Sequence, residues 1–185
     1  FTQPYALVTF HPVTLEPNDM KRQVEQVFFA LDQYPGKLNY LITKSNVDAG
    51  GLWINDWLDA FAADRCSRFK VVSSLGMRRY LSAVRYASAV IGNSSSGIIE
   101  VPSFHVPTIN IGDRQKGRVQ AQSVINCPPE TLAIIRAITL SQQAETLARC
   151  QAARNPYEGN NTALSIFTKI LSVLEADNIN LKKQL

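Results

Sequence analysis

"AVIGNSSSGIIEVPS" runs from Ala89 to Ser103, and its reading decides the fold. Ala89 to Gly92 is a short run without polar alternation. Such a run suits a strand covered on both faces, as in a parallel sheet. Three serines and a glycine follow at once, and a short helix is predicted over 97–101. A strand, a tight polar turn and a helix form the repeating unit of an open α/β sheet.

The same alternation continues outward. "YALVTF" (5–10), "LNYLIT" (38–43), "FKVVSS" (69–74) and "PTINI" (107–111) predict strands, and "SVINC" (123–127) a last short one. Helices are predicted over 18–31, 52–63, 77–86, 129–139, 142–153 and 162–176. In the first of these, Val24, Val27, Phe28 and Leu31 fall on one stripe, and Pro35-Gly36 breaks the pattern. Strands alternating with helices imply parallel pairing through right-handed crossovers. The expected fold is a doubly wound, Rossmann-like α/β domain of about six strands over 1–176, followed by a polar tail at 177–185.

Composition narrows the function. The chain has 185 residues, of which 45% are apolar and 18% charged. That is enough apolar content for a core and argues against disorder. The net charge of +4 comes from scattered Lys and Arg, with one dense cluster at Arg114, Lys116 and Arg118. With no basic helix or aromatic platform, nucleic acid is not the expected partner; an anionic small molecule is. Cys66, Cys127 and Cys150 are far apart and odd in number, and there are only two histidines. Neither a disulfide framework nor metal-ligand spacing is present. Reduced thiols and the lack of an apolar span or signal peptide fit a cytoplasmic protein. The chain opens on a core strand without a start methionine, which reads as a domain cut from a longer protein.

In such sheets, ligands bind outside the carboxyl ends of the strands. His11-Pro12 follows the first predicted strand and Ser45 to Gly50 the second. Leu75-Gly76 follows the third, Asn93 to Gly97 the fourth, and Gly112-Asp113-Arg114 the fifth. One rim thus collects the chemically interesting residues. Each has a plainer role too, since Ser and Asn also cap helices and make turns.

The serine cluster fails as a nucleophile elbow, because Ser96 stands where G-x-S-x-G needs its second glycine. It also fails as a P-loop, because Ile98-Ile99 replace the Lys and the Ser/Thr. The geometry of a phosphate cradle survives. N–H groups at a helix start attract anions, and the hydroxyls of Ser94, Ser95 and Ser96 add donors. Gly97 allows close backbone approach. Arg114, one loop away, can balance the remaining charge. Glu100 would repel a phosphate but can accept from ribose hydroxyls. A nucleoside diphosphate satisfies all of these; a solvent-facing helix glutamate is the plainer reading of Glu100.

"VTFHPVT", "SNVDAGG", "SSLGMRRYL", "IGNSSSGIIEVPSFHVPTINIGDRQKGR" and "SVINC" resemble the C-terminal half of UDP-N-acetylglucosamine 2-epimerases, from Tyr5 to about Lys169. The stretch 91–118 is the most specific part. The resemblance implies half of a glycosyltransferase-B-like enzyme of two Rossmann-like domains, with the active site between them. It implies that Ser94 and Ser95 bind the diphosphate and that Ser96 and Gly97 belong to the same UDP-binding loop. It also implies Glu100 on the ribose, Arg114 on the nucleotide side, Asn46 near the uracil with Asp48 in its loop, and His11 as the catalytic-cleft histidine.

The non-hydrolysing branch usually carries a His-Arg-Arg run after the first strand. His11-Pro12-Val13-Thr14 resembles the hydrolysing branch, which makes N-acetylmannosamine and UDP for sialic acid synthesis. The implied chemistry is removal of the C2 proton, anti elimination of UDP, and addition of water to the resulting glycal. The proton-transfer carboxylates belong to the N-terminal domain, so this chain is expected to bind UDP but not to turn over alone. No metal or redox cofactor is called for. The full-length protein is expected to be a homo-oligomer through the absent domain. A non-hydrolysing epimerase, a UDP-sugar glycosyltransferase and a non-catalytic nucleotide-binding module remain as alternatives.

Overall fold

The computed structural model describes residues 3–11, 19–45 and 51–175. Among these residues, six strands form one wholly parallel sheet: β1 (Tyr5–Thr9), β2 (Asn39–Thr43), β3 (Phe69–Val72), β4 (Ala89–Gly92), β5 (Thr108–Ile111) and β6 (Val124–Cys127). Their spatial order is β3-β2-β1-β4-β5-β6. The chain builds outward from β1 in one direction and then returns to build outward from β4 in the other. The order therefore reverses between β1 and β4, where crossovers on opposite faces leave a crevice.

Among the described residues the α-helices are α1 (Met20–Gln33), α2 (Gly51–Ala63), α3 (Gly76–Tyr86), α4 (Ser96–Ile99), α5 (Thr131–Ser141), α6 (Ala144–Ala152) and α7 (Thr162–Leu174), with a 3-10 turn at Val101–Phe104. Alternate strand residues feed two cores, because successive side chains point to opposite faces. Ala6, Val8 and Ile91 join Val24, Phe28, Phe61 and Ile134 beneath α1, α2 and α5. Leu7 and Val90 join Val84 and Val101 on the other face, beneath α3. This two-sided burial is why β4 reads as a continuous apolar run.

Three expected helix starts shift by two residues, and the helix expected over 142–153 is one of them, beginning at Ala144 with Gln143 extended before it. The helix expected over 18–31 begins at Met20, with Asp19 as its N-cap. The helix expected from 129 begins at Thr131, because Glu130 before it is extended and Pro128-Pro129 lead into it. The tail 177–185 lies outside the described residues. Among the described residues, α7 stands apart. None of its residues is buried, and Leu164, Ile166, Phe167 and Ile170 are exposed.

The sharp exit from β4 rests on Gly92. Its φ is +141°, and a Cβ there would sit 1.9 Å from the Thr9 carbonyl oxygen. Only glycine lets β4 run this close to β1 and then turn into the serine loop.

Candidate functional site

The crevice is built from the carboxyl ends of β1 and β4, held together by Asn93. Asn93 is fully buried. Its Oδ1 accepts from the His11 backbone N–H at 2.8 Å, and its Nδ2 donates to the His11 carbonyl at 2.9 Å. Its own carbonyl accepts from Arg114 Nη1 at 3.1 Å and from Gln115 Nε2 at 2.8 Å. One amide side chain thus ties the loop after β1 to the loop after β4. Its carbonyl then ties both to the loop after β5.

The serine loop follows. Ser94 accepts twice, through its Oγ from the Ser96 N–H (3.4 Å) and through its carbonyl from the Gly97 N–H (3.2 Å). The Ser95 carbonyl accepts from Ile98 and Ile99. Among the described residues, nothing accepts from the backbone N–H of Ser94 or Ser95. Two free amide donors beside a tethered guanidinium are suited to an anion. Glu100 stands exposed at the far end of α4, and Asn155 Nδ2 donates to the Ile99 carbonyl there at 2.8 Å.

His11, Ser96 and Glu100 line one cavity of about 650 Å³, together with Thr9, Thr43, Ser45, Ser73 and Tyr80. His11 Nδ1 lies 3.1 Å from Ser45 Oγ, so the ring is steered by the end of β2. Thr9 and Thr43 share a hydroxyl hydrogen bond of 2.6 Å at the cavity floor. Burial raises the pKa of the Tyr80 hydroxyl.

The residues expected from sequence thus divide. His11, Ser96 and Glu100 meet in the cavity, with Ser94 and Ser95 on the adjoining loop. Arg114 reaches the same loop from β5. Asn46 lies outside the described residues. Gly97 has a packing reason to be glycine: a Cβ there would lie 2.8 Å from Thr108 Cγ2, and Thr108 Oγ1 donates to its carbonyl at 2.9 Å. That close approach is to β5. The sequence reading missed Asn93, Gln115 and Tyr80. A polar residue directly after a wholly buried strand was the available signal for Asn93.

Cys127 and Cys150 are packing thiols. Burial pushes Cys127 up to about 12 and raises Cys150. Among the described residues, no group of three His, Cys, Asp or Glu side chains is placed to hold a metal ion. No helix among them is long and apolar enough to cross a membrane.

Fold and rim together define a Rossmann-like α/β protein with an anion-suited loop at the point where its strand order reverses. The chain belongs to the UDP-N-acetylglucosamine 2-epimerase family, whose model matches residues 1–171. It is 36% identical over 178 residues to the polysialic acid biosynthesis protein P7 of Escherichia coli, covering 96% of this chain and 45% of that protein. It is 41% identical over 120 residues to a hydrolysing GDP/UDP-N,N'-diacetylbacillosamine 2-epimerase of Campylobacter jejuni, covering 65% of this chain and 31% of that one. An S. aureus MnaA–UDP co-structure shares the fold with a TM-score of 0.73 at 17% identity, over 98% of this chain and 47% of that one. The chain spans less than half the length of these relatives.

Proposed function

We propose that this chain is the UDP-binding half of a hydrolysing UDP-N-acetylglucosamine 2-epimerase, which yields N-acetylmannosamine and UDP. The observation that carries the reading is the serine loop. Two unpartnered amides, three hydroxyls and the tethered Arg114 sit at the switch point, with Glu100 one short helix away. A diphosphate matches the first group, and a ribose diol matches the carboxylate. The names of relatives support the finer reading, since one is called hydrolysing and another serves polysialic acid biosynthesis. His11-Pro12-Val13, in place of a basic run, agrees with them.

In this reading a base on the other half takes the C2 proton of the sugar, and the C1–O bond to UDP breaks. The electron pair of the C2–H bond becomes the C1=C2 double bond of a 2-acetamidoglucal. Water then supplies hydroxide to C1 and a proton to C2 from the opposite face. The Ser94 and Ser95 amides, Arg114 and His11 stabilise the charge that develops on the departing diphosphate. Asn46 would lie near the uracil. The exposed apolar face of α7 is a surface that the other half would cover. The three free thiols suit a cytoplasmic location. The full-length protein would be a homo-oligomer.

Calorimetric titration of UDP into this chain tests the reading. Ser95→Ala and Glu100→Ala should each weaken binding about tenfold, as expected for the loss of one charge-assisted or desolvated hydrogen bond. Unchanged affinity in both variants would sink it. With both halves present, UDP-N-acetylglucosamine should release free UDP and N-acetylmannosamine. A non-hydrolysing enzyme would instead return UDP-N-acetylmannosamine and free no UDP.

A further inference from the structure

Tyr80 sits on α3, across the cavity from α4. Its ring packs against the core that contains Leu7, Val84, Val90 and Val101. Its hydroxyl is buried and has no hydrogen-bond partner among the described residues, and the same holds for the Ser96 hydroxyl. Both residues line the cavity described above. The Ser96 and Thr9 hydroxyls lie close enough to pull the Tyr80 pKa back down, though neither meets it in a geometry that makes a hydrogen bond. Thr9 Oγ1 is already paired with Thr43.

A buried hydroxyl without a partner has given up its water for nothing, and natural cores rarely leave one so. Here two stand on different helices, and both residues line one cavity. A single missing acceptor explains both. Glu100 is not that acceptor: it bears electrostatically on Tyr80 without bonding it. Burial and Glu100 both keep the phenol protonated, so it stands as a neutral donor.

We propose that Tyr80 Oη and Ser96 Oγ donate together to the α-phosphate of a bound nucleoside diphosphate, which makes Tyr80 a specificity-determining residue. The inference rests on the UDP reading and extends it. Ser96 opens α4 beside the diphosphate loop, and Glu100 follows its last turn on the ribose side. The α-phosphate joins those two parts of the ligand. Its oxygens only accept, so two donors can converge there. A ribose hydroxyl that donates to Glu100 has less need of them.

The test is calorimetry of UDP, UMP and uridine with the wild-type chain, Tyr80→Phe and Ser96→Ala. Tyr80→Phe deletes only the unpartnered oxygen. Its melting temperature should be unchanged or slightly higher. Its affinity for UDP and UMP should fall about tenfold, with uridine unaffected. Ser96→Ala should show the same pattern, and it carries the test if Tyr80→Phe does not fold. Wild-type binding of UDP with equal affinity in both variants would overturn the inference and leave the nucleotide site standing. Equal losses for uridine and UDP would also overturn it, by moving the contact to the ribose. A wild-type chain that binds no UDP would overturn the UDP reading itself and this inference with it.

Discussion

Two cavities of similar size open on the same rim of the sheet, and their polar groups are in opposite conditions. The cavity of about 650 Å³ beside β1 and α3 holds hydroxyls without partners at Tyr80 and Ser96. The one of about 620 Å³ beyond β5 and β6 is walled by amides already engaged with one another. There Asn110 Nδ2 donates to Asn126 Oδ1 at 2.8 Å, and Asn126 Nδ2 donates to Gln120 Oε1 at 2.8 Å. Gln23 Nε2 donates to Asp19 at 3.0 Å on the opposite wall. Polar lining alone therefore does not identify a site. A ligand gains most where donors wait for an acceptor, because satisfying them restores a hydrogen bond lost on folding. Where the amides satisfy each other, a ligand must displace bonds of equal quality.

The contrast can be broken at its hinge. Gly92→Ala should cost the most, about 4 kcal/mol or outright misfolding, because its Cβ would overlap the Thr9 carbonyl at a positive φ. Chemical denaturation followed by circular dichroism measures it. Asn93→Leu should come next, at about 3 kcal/mol, since it strands the His11 amide and carbonyl that Asn93 serves. It should also abolish UDP binding, because both loops lose their common anchor. Denaturation and calorimetry on the same sample would show both effects.

On the other side of the comparison, Asn126→Ala should cost less, about 2 kcal/mol, by removing the exposed side chain that accepts from the buried Asn110 and donates to Gln120. UDP affinity should stay at the wild-type value; a matching loss would mean that the two cavities act as one. The smallest effect concerns Asp19. Hydrogen bonds from Arg22 and then Gln23 hold its carboxyl below the usual carboxylate range. A depressed folded pKa gives stability that is present above the unfolded value and lost as pH falls through the folded one. Titrating the chain below pH 4 should therefore cost wild type slightly more stability than Asp19→Asn, measured as the difference in melting temperature.

The strands, the doubly wound order of elements and most of the rim were legible in the sequence. Wholly apolar runs such as "AVIG" arise only where both faces of a strand are covered, and the residues after each run fall on one edge by construction. The serines, Glu100 and His11 could be picked out for that reason. Asn93 could not be told from its neighbours in the loop, because its role is a pair of hydrogen bonds to a residue 82 positions away. Tyr80 carries no local signal, because its place in the cavity is set by how α3 packs against the sheet. Gly97 was legible as a close approach, but not as an approach to Thr108.

Sequence by itself determined which segments become strands and helices, because those depend on local periodicity and on breakers such as Pro35-Gly36. It also determined that the polar residues gather at the carboxyl ends of a parallel sheet. Tertiary structure alone decided which polar atoms are spent and which remain available. The amide of Asn110 finds Asn126 only because β5 and β6 pair in that register. The hydroxyls of Tyr80 and Ser96 stay unpartnered only because α3 and α4 bring them to the same cavity without bringing them into bonding geometry. Hydrogen bonding is short-ranged and directional, so its outcome is set by the final packing and not by the order of residues along the chain.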